Sequence, residues 1–194
     1  MATSISILDD PRFPLERYQS VPISFRVREI YAPVPPGPSC IGIPLALRQV
    51  NTPYVKEYDH PGNQPVDWPA TFDIANWGIM TAHDAGQLVG GAAVAWNTPA
   101  VNMLEGRPDL AVLWDLRVAV ASRGRGVGRA LFAAARDWCR ARKVTELKIE
   151  TQNINVPACR FYAAQGSVLT AINCRAYPEL PNEIQLIWMC PVGG

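Results

Sequence analysis

The stretch Arg123-Gly-Arg-Gly-Val-Gly128 decides how this chain is read. It lies where an apolar strand over Ala111–Val120 runs out and a helix over Gly126–Arg142 begins. A helix N-terminus presents unpaired N–H groups and the positive end of the macrodipole. Glycines at alternate positions let the backbone turn tightly and approach an anion. Phosphates bind readily at such a place. Arg123, Arg125 and Arg129 add charge around it. The competing reading is a glycine-rich turn beside a solvated basic helix face.

Two nucleotide-binding patterns fail here. No G-x-x-x-x-G-K-[ST] string exists. The dinucleotide fingerprint G-x-G-x-x-G needs a third glycine or an alanine, and Arg129 or Leu131 stands there instead.

Outward from the loop, the charge is uneven. The chain of 194 residues carries 18 Lys+Arg against 17 Asp+Glu, a net +1. Yet nine of those basic residues fall between Arg117 and Lys148, where the acids are Asp137 and Glu146 alone, a local +7. That concentration points to an anionic ligand. The arginines follow a phosphate loop and lack interleaved aromatics, so nucleic acid is not the expected partner. Five widely spaced cysteines without a C-x-x-C pair, and two histidines, make a metal site unexpected and suit reduced thiols in the cytoplasm. The N-terminus has no basic leader, and no apolar run approaches the roughly 20 residues of a membrane span.

The length suits one domain, at about 150 residues per domain, with an extension. Fourteen of eighteen prolines precede residue 110. Residues 1–22 read as an irregular arm, Ile23–Tyr31 as an edge strand, Ile43–Val50 as a short helix and His60–Pro69 as a loop. Trp77–Ala82 and Gln87–Trp96 read as a hairpin turning at His83–Gly86. Leu147–Thr151 reads as a strand, and Val156–Gln165 as a helix with Pro157 in its first turn and Gly166 at its end. Val168–Cys174 and Glu183–Met189 read as closing strands. Strands followed by strand–helix–strand–helix and a last strand pair predict an α/β domain over 23–194, with a central mixed, twisted sheet flanked by helices.

Arg123-x-x-Gly126-x-Gly128 matches [QR]-x-x-G-x-[GA], and Asn155-x-x-Ala158-x-x-Phe161-Tyr162-x-x-x-Gly166 follows. With the strand Leu113-Trp-Asp-Leu-Arg-Val118 before them, these resemble the pyrophosphate loop, helix element and acyl-CoA strand of the GNAT superfamily of N-acetyltransferases. Ile149-Glu-Thr-Gln-Asn-Ile-Asn155 and Asn182-Glu-Ile184 resemble its streptothricin acetyltransferase branch. The likeness spans about residues 76–190, with the acyl-CoA core at about 111–166. Ser167 departs from the aromatic residue usual after the glycine.

The resemblance implies acetyl-CoA as co-substrate, with no metal, and direct attack by a primary amine of a small molecule in a ternary complex. An aminated antibiotic of the streptothricin kind is one acceptor it implies. The backbone of Arg123, Gly124, Arg125, Gly126, Val127, Gly128 and Arg129 would hold the pyrophosphate. Leu116 and Val118 would pair through their backbones with pantetheine, and the N–H of Val118 would polarise the thioester carbonyl. Asn155 would contact the CoA chain, cap the following helix, or both. Tyr162 would return a proton to the thiolate. Asp115 or Glu150 would take the proton of the ammonium acceptor, Glu183 would bind a cationic acceptor, and Tyr177, with Tyr54, Trp77 and Trp188, would stand at the acceptor wall unless these pack in the core. The structural alternative for each acid is a salt bridge. A non-catalytic CoA-binding module and a protein or peptide N-acetyltransferase are the other functions compatible with these motifs. A second copy of the chain is the one protein partner entertained.

Overall fold

The computed structural model describes residues 5–34 and 45–193. In chain order its strands and α-helices are β1 (Ile5–Asp9), α1 (Leu15–Gln19), β2 (Phe25–Pro33), β3 (Leu45–Lys56), α2 (Trp68–Thr71), β4 (Gly78–Asp84), β5 (Gln87–Ala95), β6 (Leu110–Val118), α3 (Val127–Ala141), β7 (Glu146–Gln152), α4 (Val156–Ala164), β8 (Val168–Asn173) and β9 (Gln185–Pro191). The architecture is α/β with a mixed sheet, as the alternation of strands and helices predicts. Chain contacts divide it into two compact units, one of Met1–Ile23, Glu57–Ile149 and Pro191–Gly194, the other of Ser24–Lys56 and Glu150–Cys190.

In the first unit, β1, β4, β5 and β6 follow one another in antiparallel pairs, and β6 then pairs in parallel with β7. A central place for β6 explains its near-continuous apolar run. The two faces of this sheet are covered differently. On one, α3 lays down Val127, Leu131, Phe132, Ala135, Trp138 and Cys139, all buried at helical spacing. On the other, Tyr18, Trp68, Phe72, Trp77 and Trp114 build an aromatic layer with centroids 5.0–5.9 Å apart. Both layers press close. A Cβ at Gly78 would stand 2.5 Å from the Trp138 ring, and one at Gly91 would stand 2.3 Å from the Tyr18 ring.

In the second unit, β8 and β9 are antiparallel and β2 and β3 form a two-stranded ribbon. Asn153, 1% exposed, stitches it together. Its N–H donates to Ile184 O (2.9 Å), and its Oδ1 accepts from Ile184 N–H (2.8 Å). Its Nδ2 donates to Tyr31 O (2.8 Å), and its O accepts from Tyr31 N–H (3.0 Å). One side chain and its own peptide thus tie the start of β9 to the ribbon. Thr151 Oγ1 accepts from Trp188 Nε1 at 2.8 Å and lies 3.4 Å from Cys159 Sγ, so Trp188 is a core residue.

Three local expectations need correction. Residues 1–22 are not wholly irregular: Ile5–Asp9 pairs with β4, and Leu15–Gln19 is helical with Pro14 as its N-cap. The prolines there punctuate elements rather than prevent them. Leu45–Val50 is strand, not helix. Its Leu, Ala, Arg and Gln favour helix, but pairing with β2 overrides that weak preference, and Pro53 is tolerated on a ribbon strand. Within His60–Pro69, Pro65–Asp67 forms a 3₁₀ turn leading into α2. The proline run at 35–39, Cys40 and the first residues of the expected 43–50 helix lie outside the described residues. No helix among the described residues is long and apolar enough to cross a membrane.

Candidate active site

The end of β6 and the glycine loop belong to the first unit. The parallel ladder joins Leu110–Leu113 to Glu146–Ile149, while β6 continues to Val118. The departure has a local cause. Between the pairs Ala93–Asp115 and Val94–Leu113, β6 carries one extra residue, Trp114. Such a bulge bends its strand, and this one sits where the pairing with β7 ends.

Beyond the bulge the alternation of hydrogen bonds can be worked out. Ala119 N–H donates to Val89 O at 2.9 Å. Antiparallel partners alternate between bonded and non-bonded pairs. Ala119 and Arg117 are therefore bonded to β5, whereas Leu116 and Val118, opposite Ala92 and Gly90, turn their N–H and C=O groups away from it. These are the two residues expected to pair with pantetheine. Arg123 Nε donates to Val118 O at 2.9 Å, anchoring the glycine loop to the strand end.

The loop itself takes the shape its glycines predict. Gly124 and Gly126 have φ of +75° and +86°, and a Cβ on either would meet nothing within 4 Å. Glycine is needed there for backbone conformation, and the space outside is open. Gly126 is the N-cap of α3, whose first turn includes Val127, Gly128 and Arg129 and carries no acid. Among the surrounding arginines, Arg125 forms an ion pair with Asp84 at 2.8 Å, and Arg129 is exposed. The local excess of positive charge is partly neutralised from elsewhere in the unit, also by Glu105 on Lys148 (2.7 Å).

Asp115 faces the opposite way from a free base. It is 9% exposed and accepts from Tyr18 OH (2.6 Å), Arg117 Nε (2.9 Å) and Arg117 Nη2 (2.7 Å). Arg117, 2% exposed, also grips both oxygens of Asp59 (2.9 and 3.1 Å) and donates to Val21 O (3.0 Å). Its guanidinium lies 5.1 Å from the Tyr18 ring centroid. Burial, then the Asp115 charge, push the Tyr18 phenol well above its ordinary range, so Tyr18 stays a proton donor to Asp115. Sequence reading missed Tyr18 and Asp59, which lie 97 and 58 residues from their partners.

The second unit holds Glu150, Asn155, Tyr162, Tyr177 and Glu183. Glu150 accepts from Tyr177 OH (2.5 Å) on one oxygen and from Gln185 Nε2 (2.7 Å) on the other. Gln152 Nε2 donates in turn to the Tyr177 oxygen (2.9 Å). Among the described residues no lysine or arginine forms an ion pair with Glu150. The other half-buried carboxylates of this unit are neutralised, Glu29 by Arg160 (2.6 Å) and Glu183 by Lys56 (2.5 Å). Glu150 thus combines a fixed orientation with the absence, among the described residues, of a basic ion-pair partner. Gln152 and Gln185 carried no sequence signal beyond alternation with Glu150 or Glu183. Asn155 Oδ1 accepts from Ala158 N–H (3.2 Å), the capping role expected of it. Tyr162, 7% exposed on α4, packs edge-on against Phe161 at 5.1 Å. Tyr54 is exposed on the ribbon, and Trp77 is core. Among the described residues no group of three or more His, Cys, Asp or Glu is placed to hold a metal ion.

The sequence pattern of the Acetyltransferase (GNAT) family matches residues 46–166, more than half of the chain. The chain belongs to this family. Its curated GNAT relatives include streptothricin acetyltransferase A of Bacillus subtilis (strain 168), 38% identical over 80 residues, which are 40% of this chain and 46% of that protein. The Escherichia coli streptothricin acetyltransferase is 36% identical over 83 residues, 41% of this chain and 48% of that one. The chain therefore spans about half the length of these two relatives. The Streptomyces lavendulae streptothricin acetyltransferase is 30% identical over 145 residues, 72% of this chain and 71% of that protein. Among solved GNAT-fold structures, nourseothricin acetyltransferase superposes with a TM-score of 0.76 at 23% identity, covering 98% of this chain and all of that one. A Bacillus anthracis str. Ames structure in complex with acetyl coenzyme A gives 0.74 at 24% identity, covering 98% and 99%. At these identities the superpositions establish the fold.

Proposed function

We propose that the chain transfers the acetyl group of acetyl-CoA to a primary amine of a small molecule, in a ternary complex. A streptothricin-like antibiotic is the acceptor that the names of its relatives suggest. The observation that carries the proposal is the bulged end of β6: Leu116 and Val118 aim their peptide groups away from β5 and lead directly into an open positive-φ glycine loop.

The N–H groups of the loop and of the first turn of α3 bind the pyrophosphate, because orphan helix donors and the macrodipole favour an anion. Leu116 and Val118 hold the pantetheine arm as an added strand would be held. The N–H of Val118 donates to the thioester oxygen as negative charge develops on it. Glu150 binds the acceptor ammonium and accepts its proton, so that the free amine forms the new C–N bond as the C–S bond breaks. Tyr162 gives its phenolic proton to the departing thiolate and recovers one from solvent. The net change is an ammonium and a thioester giving an amide, a thiol and one proton. Asp115 is assigned to the Arg117 ion pair and not to proton transfer. Three of the four described cysteines, Cys139, Cys159 and Cys190, are buried, and a reducing compartment, the cytoplasm, suits such thiols.

Thiol release from acetyl-CoA, measured with streptothricin-class compounds and a panel of simple amines, tests the proposal. Glu150→Gln should lower kcat/KM for the amine about 100-fold or more, the usual scale of a general base, with the KM for acetyl-CoA unchanged. Binding of acetyl-CoA without turnover of any amine would favour a non-catalytic module. A chain that neither binds acetyl-CoA nor turns over would sink the assignment.

A further inference from the structure

Lys56 Nζ lies 2.5 Å from Glu183 Oε1, and the two side chains are 18% and 11% exposed. Such a pair is more shielded from solvent than an ordinary surface ion pair. Tyr54 stands two residues before Lys56 on β3, which places both on one face of the strand. Burial, and after it the Glu183 charge, raise the Tyr54 phenol above its ordinary 10.0, so its ring lies within the field of that carboxylate. A carboxylate holding an ammonium, with an aromatic residue on the same strand face as the lysine, has the makeup of an amine-binding site. Here the ammonium is the chain's own.

The place of Glu183 gives this pair a functional meaning. It precedes Gln185 by two residues, and Gln185 donates to Glu150. Glu183 lies just ahead of β9, and two residues of chain span at most about 7 Å of backbone. Two carboxylates thus lie around Gln185 in the second unit, one bonded to its side chain and one two residues before it. Glu150 is held by neutral donors and Glu183 by a lysine.

We infer that Glu183 is a second ammonium subsite for the acceptor and that Lys56 is its resident competitor, so that Glu183 favours acceptors bearing a second amine and Lys56 tempers that preference, since the second amine must displace it. The inference rests on the acetyl-transfer function proposed above. Exchange of one ammonium for another leaves Glu183 paired before and after, and the flexible four-carbon stem of Lys56 lets its charge move into water. An acceptor with one amine engages Glu150 and has nothing to offer Glu183.

The test is the KM for 1,4-diaminobutane and for butylamine at saturating acetyl-CoA, in the wild-type chain and in Lys56→Met, Lys56→Arg and Glu183→Gln. Removing the competitor in Lys56→Met should lower the KM for the diamine about fivefold, matching the upper energy of an exposed pair, and leave butylamine unchanged. Lys56→Arg, whose planar fork grips a carboxylate more firmly, should raise the diamine KM. Glu183→Gln should bring the diamine KM up to that of butylamine. A gain of affinity in Lys56→Met is a result that loss of structure does not produce. Should Lys56→Met fold poorly, Lys56→Arg keeps the charge and still tests the sign. Turnover with an unchanged or raised diamine KM in Lys56→Met, or with both amines shifted alike, would overturn this inference alone. Absence of turnover of both amines by the wild-type chain would overturn the acetyl-transfer proposal, and this inference with it.

Discussion

Replacing Arg117 by methionine isolates the buried charge cluster of the first unit. The guanidinium is 2% exposed and supplies two of the three hydrogen bonds that Asp115 receives. Its removal leaves Asp115 buried with the Tyr18 hydroxyl as its remaining described donor, and leaves the partly exposed Asp59 to water. Breaking one side of a buried pair costs about 3–5 kcal/mol, because the other charge stays desolvated. At about 2–4 °C per kcal/mol for a chain of this size, Tm should fall by roughly 6–20 °C. Urea unfolding followed by tryptophan fluorescence reads the change, since Trp68, Trp77 and Trp114 sit in the adjoining layer. The triple variant Tyr18→Phe, Asp115→Leu, Arg117→Met removes the three buried polar side chains together and leaves Val21 O and the partly exposed Asp59 behind. It should recover most of the loss, to within about 2 kcal/mol of wild type, because an apolar replacement of a buried pair is often close to neutral. A single-variant loss below about 1 kcal/mol would refute the burial argument. A triple variant no more stable than the single one would refute the assignment of the loss to desolvation.

Gly126→Ala should raise the KM for acetyl-CoA and cost about 1–2 kcal/mol in urea unfolding, because its φ of +86° strains an L-residue while its Cβ meets no atom. Tyr162→Phe should lower kcat with little change in either KM, and the effect should shrink with a thioester whose thiol is more acidic; an unchanged kcat would remove Tyr162 from proton transfer. Arg107 and Thr145 hold the Asp109 carboxyl down from 3.8 to about 2. Its stabilising contribution is thus complete above about pH 4 and is lost as pH falls through about 2, so wild type and Asp109→Asn should converge in stability over that interval. Ser167 is buried and its Oγ has no hydrogen-bond partner among the described residues, so Ser167→Ala should leave thermal stability unchanged or raise it by up to about 1 kcal/mol.

The half of the fold around the glycine loop was legible because its signals are local. Strand, positive-φ glycines, capped helix and apolar stripe each write their own period into adjacent residues, from Ala111 through Gly166. The bulge at Trp114 was not legible, since it exists only as a mismatch of register with β5. The nature of Asp115 was equally hidden: a carboxylate two residues before an arginine on a strand predicts a pair, but Tyr18 and Asp59 come from distant segments. Leu45–Lys56 misled because propensity is weak and the ribbon partner decides. On the acceptor side, Glu150, Tyr177 and Glu183 could be singled out by type and position. Their grouping by Gln152, Gln185 and Lys56 depends on β9 and the ribbon meeting around Asn153, a buried residue whose four bonds no periodicity announces.

Pro191, the last residue of β9, and Val192 after it carry a consequence for the order in which the molecule is made. Arg136 and Arg140 of α3 donate to the carbonyls of Pro191 and Val192 (3.3 and 3.0 Å), and Val192 N–H donates to Thr145 O at 2.9 Å. Yet α3 ends at Ala141, fifty residues upstream. At about 5–20 residues per second, a ribosome needs roughly 3–10 s to supply those partners. During that interval the nascent helix that follows the glycine loop lacks its last anchors. The loop is thus encoded early and anchored late, and a ribosome stalled between the two would hold a chain whose glycine loop has formed only in outline.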